Sequence, residues 1–396
     1  MNEFNDANSK ENKSTNKEEF DKVFLVKCED YSVENVKKAF DELFPMIGNL
    51  EWVTQGMKIA IKANLVTFMK PEEAGTTHPS LLLELIKRLL EKGAEVIVGD
   101  SPGGPYNSLN LNHVYNVTGM NELKKYGVKL NQNFEQVTAK FSEAKVAKEF
   151  PYTAYLKEAD AIINFCKLKS HGMMGMSAAT KNLFGIIPGT IKPEFHFRYP
   201  NYEDFANMLI DLNEFLKPRL CIVDAVVGME GNGPTSGTPK KIGAILASQN
   251  PYCLDFVCAK MIGLTKENVP TLEEAYRRGF IPEKVEDVKC NRSIDEFLIP
   301  DFDTRKVHKS LGFDDSNKLI GKIGRKFLRS SPKLKNKDCI GCGKCAEVCP
   351  AKAITIEKKK AKIDRKQCIT CFCCQEFCPK GAMKVKRPWL ARILTK

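Results

Sequence analysis

The 396-residue chain has no apolar stretch long enough for a secretory signal or a membrane span. Its first twenty residues, MNEFNDANSKENKSTNKEEF, are polar and charged, which is the composition of a disordered segment. A cytoplasmic protein is therefore expected. A phosphate-binding G-x-x-x-x-G-K-[ST] loop is also missing. The glycine-rich stretch GMEGNGPTSGTP puts Pro234 where a dinucleotide site needs a helix N-terminus, and it runs on into a strand-like segment, so it reads as a turn-rich loop. Basic residues gather in RKVHKS and GKIGRKFLRSSPKLKNK without interleaved aromatics or a recognition module, so nucleic acid is not an expected partner.

What the chain does have is cysteine, fifteen in all, nine of them between Cys339 and Cys378. In a short secreted chain this would suggest a disulfide scaffold, but the spacing is that of metal ligands. Cys339, Cys342, Cys345 and Cys349 follow C-x2-C-x2-C-x3-C-P, and Cys368, Cys371, Cys374 and Cys378 repeat it 29 residues later. Three close cysteines wrap three corners of an iron-sulfur cubane, while the fourth is turned away at proline and in two-cluster ferredoxins ligates the other cluster. Two 4Fe-4S clusters are thus expected, one on Cys339, Cys342, Cys345 and Cys378, the other on Cys368, Cys371, Cys374 and Cys349. A pair of zinc sites is the competing reading, but structural zinc usually takes paired C-x2-4-C arms. Cys373 is expected to be a bystander, and residues 353–363 a hairpin over the clusters.

Lys and Arg (61) exceed Asp and Glu (49), giving +12, and each oxidised cluster with its thiolates contributes about −2, leaving roughly +8. Such a charge suits an acidic electron carrier such as a ferredoxin or flavodoxin, although charge alone would equally attract nucleic acid or anionic lipid. Thiolate clusters need a reducing compartment, which agrees with a cytoplasmic protein of an anaerobe.

Residues 23–290 alternate β-rich runs with amphipathic helical stretches, which predicts an α/β domain. Strands are expected at 23–27, 57–63, 94–100, 161–167, 220–227 and 242–247. Ser32 caps one helix, and Pro79 opens another whose Leu82, Leu85, Ile86, Leu89 and Leu90 line one face up to Gly93. Further helices are expected around 205–216 and 254–261. The fold class is therefore α/β, a mixed or parallel sheet with flanking helices, plus a small C-terminal α+β ferredoxin-like domain. The expected division is a disordered 1–20, the α/β domain at 21–300, a basic linker at 301–335, the cluster domain at 336–386 and a basic tail at 387–396.

Four stretches, taken in order, carry a family likeness: IKANLV with TTHPS; AEVIVGDSPGG; KSHGMMGMSAATKNLFGIIPG with the later His196; and VDAVVGMEGNGPTSGTP followed by LDFVCAKMIG. Together they resemble the domain of unknown function 362 family, often fused to a ferredoxin module. The resemblance implies an α/β domain with an iron-sulfur partner and no settled activity.

Because parallel sheets bind ligands beyond their carboxyl edges, polar residues at strand ends are the site candidates. Lys62 and Asn64 end one strand, and His78 stands at a helix start where backbone amides favour an anion, or else merely caps that helix. Lys169 and His171 follow the strand at 161–167, with Lys181 and Asn182 close behind. Lys62, Asn64, His78, Lys169, Asn182 and Glu230 are expected to bind a small anionic substrate, and His171 and Lys181 to supply protons. Met173, Met174 and Met176 and the lone His196 read as core, while Asp224 beside the glycine-rich loop reads as an acid, base or metal ligand and Asp255 as a cap or pairing partner within its helix. The leading expectation is an oxidoreductase passing electrons through its clusters to a substrate or to a further, unidentified cofactor. The alternative is a non-catalytic electron carrier or iron-sulfur sensor whose α/β domain binds a partner or anionic ligand.

Overall fold

The computed structural model describes residues 20–304 and 331–386. The disordered N-terminus and the basic tail expected from the sequence, and most of the linker, lie outside the described residues.

The chain opens with β1 (Phe24–Lys27) and α1 (Val33–Met46), whose first turn is capped by the Ser32 hydroxyl accepting from Asn35 N. Next come β2 (Lys58–Lys62), α2 (Pro79–Glu91) and β3 (Glu95–Gly99). Pro79 sits where a missing N–H costs nothing, and Leu82, Leu85, Ile86 and Leu89 form the buried stripe that periodicity predicts. After α3 (Ser108–Val117), the short β4 (Lys129–Leu130) and the hairpin β5 (Gln136–Lys140) and β6 (Glu149–Thr153), the chain enters β7 (Ala161–His171). It then forms β8 (Gly175–Ser177), α4 (Ala179–Asn182), α5 (Lys192–Arg198) and α6 (Tyr202–Leu216). The long antiparallel pair β9 (Leu220–Glu230) and β10 (Thr238–Ser248) leads into α7 (Pro251–Met261) and α8 (Pro270–Arg277).

These strands make one mixed eight-stranded sheet in the order β1-β10-β9-β7-β2-β3-β4, with β8 paired to β7. Strands β9, β7, β2, β3 and β4 are mutually parallel, and β10 and β1 extend the β9 flank through antiparallel pairings. Phe40 and Leu43 of α1 and Leu82 and Leu85 of α2 pack with Ile59, Ile61, Ile163 and Phe165 in one core. Cys166, Leu168 and Val223 instead pack with Leu254, Val257 and Met261 of α7, and Ala60 and Ile162 with Phe205 and Leu209 of α6. Alternate residues of the same strands thus feed opposite layers, giving helices on both faces of the sheet.

Several elements outrun the sequence expectation. β7 continues to His171, four residues past its expected end, because pairing with β8 and β9 carries it through two lysines that look like strand terminators. β9 and β10 likewise extend to Glu230 and back to Thr238.

The C-terminal part has β11 (Ser331–Leu334), the one-turn α9 (Lys344–Glu347), the hairpin β12 (Ile354–Glu357) and β13 (Lys360–Ile363), the one-turn α10 (Cys373–Glu376) and β14 (Met383–Lys386). The hairpin is the one read from residues 353–363, and α9 and α10 fall 29 residues apart, as the cysteine repeat does. β11 falls inside the expected linker and pairs with β14. Its sequence SPKL has neither apolar alternation nor β-branched residues, so only the partner strand makes it a strand.

Candidate functional site

The chain runs from β2 outward to β3 and β4, then returns to β7 on the other side of β2. The order reverses there, so the carboxyl ends of β2 and β7 open a crevice of the kind in which α/β sheets hold ligands. Lys62 ends β2 fully buried, its Nζ 2.7 Å from Asp100 Oδ1, 2.7 Å from Ala63 O and 3.2 Å from Asn182 Oδ1. Asn182 also accepts from Asn64 Nδ2 at 3.0 Å and donates to Asn164 Oδ1 at 2.8 Å. Lys169 reaches Asn64 Oδ1 at 2.6 Å and Gly75 O at 2.8 Å. Four residues expected at the site, Lys62, Asn64, Lys169 and Asn182, thus share one hydrogen-bonded network.

Gly185 lies against this network, and a Cβ there would stand 2.3 Å from Asp100 Oδ1 and 2.5 Å from Lys62 Nζ. Gly185→Ala is expected to wedge the ion pair and lower the unfolding free energy by about 1–3 kcal/mol, as overpacking does. A denaturant midpoint equal to that of the unsubstituted protein would show that the pair gives way freely.

Above the network lies a cavity. Lys169, Lys181, Lys192 and His196 line it from the α/β side, and Cys373, Glu376 and Phe377 from the cysteine-rich side. Burial, with the Lys181 charge added, brings the Lys169 ammonium down to about 7. Burial likewise brings Lys192, which donates to Ser101 O, down to about 7, and it lowers Lys181, which rests over the Phe184 ring. His196 is stacked on Phe205 at 4.4 Å between ring centroids, and burial lowers it to about 3, so it is neutral.

His171 accepts at Nδ1 from Met173 N and Met174 N, each at 3.1 Å, which places its proton on Nε2. That atom lies 2.9 Å from Glu376 Oε1, close but poorly aligned for a hydrogen bond. Burial lowers His171 to about 4. Burial alone would raise the Glu376 carboxyl, but the His171 contact and the Lys181 charge hold it below the usual carboxylate range. A neutral imidazole therefore faces an ionised carboxylate.

Two expected binding residues stand elsewhere. His78 caps α2, its Nδ1 accepting from Ser80 N at 3.3 Å, and its ring stacks on Tyr31 at 3.6 Å. The dipole argument for an anion there gives way to the capping role, because Asp224 Oδ2 already accepts the His78 backbone N–H at 3.0 Å. Glu230 at the end of β9 accepts from Asp303 N at 2.9 Å, away from the cavity. Asp224 is buried beside Lys167 at 2.9 Å and accepts from Tyr31 at 2.8 Å, and Asp255 caps α4 by accepting from Ala179 N and Thr180 N. Met173 and Met174 are core.

Lys192, Asp100 and Glu376, none of them among the expected site residues, line the cavity too, as does Cys373, expected to be a bystander. Asp100 could have been found, since it follows a strand directly into SPGG. Nothing in the sequence links the other three to the sheet edge.

The cysteines gather around two further cavities. Cys339, Cys342, Cys345 and Cys378 line one with Ile340, Ile356 and Met383. Cys349, Cys368, Cys371 and Cys374 line the other with Ile354, Ile369 and Phe372. Each cavity thus draws three cysteines from one half of the repeat and a fourth from the other. Ala353 N lies 3.2 Å from Cys349 Sγ and Ala382 N 3.1 Å from Cys378 Sγ, equivalent hydrogen bonds to sulfur. Among the described residues no three His, Cys, Asp or Glu side chains converge as on a single ion. Four thiols spread around an apolar space fit a 4Fe-4S cluster.

The turn-rich loop read from GMEGNGPTSGTP seats α10. Gln375 Nε2 donates to Asn232 O at 2.9 Å and to Gly233 O at 3.0 Å, and Thr235 Oγ1 donates to Glu376 O at 2.9 Å. Phe377 packs on Gly103, where a Cβ would come within 2.5 Å of the ring.

Two regions of the chain match known families: residues 59–260 the domain of unknown function 362, and residues 331–379 the 4Fe-4S dicluster domain. A thylakoid-associated protein of Synechocystis sp. is 28% identical over 273 residues, 67% of this chain and 81% of that protein. The lactate racemase apoprotein from Thermoanaerobacterium thermosaccharolyticum aligns with a TM-score of 0.36 and 13% identity over 59% of this chain and 55% of its own. A Thermotoga maritima protein aligns with a TM-score of 0.33 and 15% identity over 53% and 54%. The chain thus spans about half the length of each of these solved structures. Among the described residues no helix is long and apolar enough to cross a membrane. The crevice at the sheet edge lies within the stretch matched by the first family and the crossed cysteines within the second, and the chain belongs to the domain of unknown function 362 family, with a C-terminal 4Fe-4S dicluster domain.

Proposed function

We propose that this protein is an iron-sulfur oxidoreductase acting on a small anionic substrate held in the cavity between the sheet edge and α10. The observation that carries this reading is the double role of α10. Its Cys374 belongs to one cysteine set, while Cys373 and Glu376 of the same turn wall the basic cavity. Cys339, Cys342, Cys345 and Cys378 would hold one 4Fe-4S cluster, and Cys349, Cys368, Cys371 and Cys374 a second. When bound, the clusters supply single electrons and no bond chemistry.

The residues around the cavity supply the rest. Lys169, Lys181, Lys192 and the underlying Lys62 outnumber Asp100 and Glu376, which favours an anion in a space of low dielectric. Lys181 rests on an aromatic face with no ion pair among the described residues, so it is free to meet the substrate and donate a proton. His171 stands behind Glu376 and positions it. Asn64 and Asn182 hold Lys169 and Lys62 in place. A reducing compartment such as the cytoplasm suits thiolate ligands.

Anion affinity is expected to fall as pH rises through about 7, because Lys169 and Lys192 lose their protons there. Below that pH both are cationic; above it the cavity loses two positive charges. Calorimetric titration with a small dicarboxylate between pH 6 and 8.5 checks the sign, and affinity that rises with pH would contradict the assignment.

The function itself is tested by reducing the anaerobic holoprotein with dithionite and offering small anionic oxidants while cluster absorbance is followed. Reoxidation that Lys181→Met slows at least tenfold supports the reading. Clusters that no small molecule reoxidises would leave an electron carrier or sensor instead.

A further inference from the structure

We propose that the face around Cys342 is the docking surface for a small acidic ferredoxin, which loses one electron there as the neighbouring cluster gains one. The inference rests on the oxidoreductase reading above, and it names the place where electrons enter.

Cys342 is the exposed member of the eight cysteines, whereas Cys345 and Cys374 are buried. Beside it Ile340 is 58% exposed and Ile356 37% exposed, an apolar centre at the protein surface. Around that centre stand lysines. Lys358 and Lys359 form the tip of the β12–β13 hairpin, and Gly341 packs so closely on that tip that a Cβ would lie 2.5 Å from Lys359 O. Lys360 Nζ ties the same hairpin to Cys339 O at 2.6 Å, and Lys380 lines the same cysteine cavity.

The turn itself is unusual. Lys358 and Lys359 have φ of 49° and 58°, where two-residue hairpin turns prefer asparagine and glycine. Strain of this kind is kept where the side chains have a use. The nearby acids offer no compensation: Asp338 is paired with Lys335, Glu347 with Lys344 and Glu357 with Lys362. Lys337, Lys358, Lys359 and Lys380 have no ion pair among the described residues. An apolar centre with an uncompensated cationic rim, placed over an exposed ligand, is complementary to an acidic carrier and would steer its approach.

The test uses the full-length holoprotein with Lys358→Asn and Lys359→Gly together. These residues remove two charges and suit the turn better, so loss of folding does not confuse the result. Stopped-flow reduction by a reduced acidic ferredoxin at low ionic strength is expected to slow about tenfold, and the unsubstituted rate to fall steeply with salt. Reduction by dithionite should be unchanged. An unchanged ferredoxin rate, or an equal loss with dithionite, overturns the proposal, as does a change confined to binding of anionic vesicles or duplex DNA. Turnover driven by dithionite reports on the cavity alone, so a failed docking surface and a failed oxidoreductase reading give different results.

Discussion

Cys378→Ser is expected to remove iron from the set of Cys339, Cys342 and Cys345, far from it in sequence, and to spare the set of Cys368, Cys371 and Cys374 beside it. The reason is geometric: Cys378 shares its cavity with the first three cysteines, and Cys349 shares its cavity with the last three. Iron and acid-labile sulfide should each fall to about half, as one of two clusters is lost. Cys349→Ser is the mirror experiment. It strikes the set that α10 joins to the basic cavity, so substrate-driven reoxidation should disappear even with dithionite as donor. Cys378→Ser should keep that dithionite-supported reaction and lose reduction by an acidic ferredoxin. Metal analysis with electron paramagnetic resonance of the reduced variants separates the two. Loss of iron from the sequence-adjacent set would refute the exchange of ligands.

The largest loss of stability is expected from Asp224→Ala. Asp224 is fully buried and accepts from Lys167 Nζ at 2.9 Å, Tyr31 Oη at 2.8 Å and His78 N at 3.0 Å, while Lys167 also donates to Tyr31 at 2.6 Å. Removing the carboxylate leaves a buried ammonium without a counter-charge, at a cost of about 3–5 kcal/mol. Burial already lowers the Lys167 pKa, with Asp224 working against that shift. Without Asp224 the lysine neutralises more readily, so the destabilisation should shrink as pH rises. Lys167→Met combined with Asp224→Leu removes both charges and should recover most of the loss. Denaturant unfolding of the holoprotein at several pH values measures all three. A single variant as stable as the double would mean that water reaches Lys167.

Much of this was legible in the sequence because it depended on neighbours along the chain. Helix α2 could be read from Pro79, the leucine stripe and Gly93, and the hairpin β12–β13 from residues 353–363. Lys62, Asn64, Lys169 and Asn182 could be proposed because strand ends in a parallel sheet converge on one edge. Two places were not settled by the local sequence. At His78 an anion-binding helix start competes with a side-chain cap, and the chain took the cap. At β11 the local sequence has no strand signal, and pairing with β14 supplies it.

The sequence by itself determined the two cysteine repeats and their pairing into two crossed sets, the helix starts and the alternation that makes an α/β sheet. All of these follow from spacing, and spacing survives in one dimension. Only the tertiary structure decided that α10 seats on the loop at residues 231–235, that Glu376 meets His171, and that Lys192 and Cys373 face one cavity. Those contacts join residues separated by some 140 to 200 positions. No local pattern encodes them, because they arise from how two surfaces distant in sequence fit.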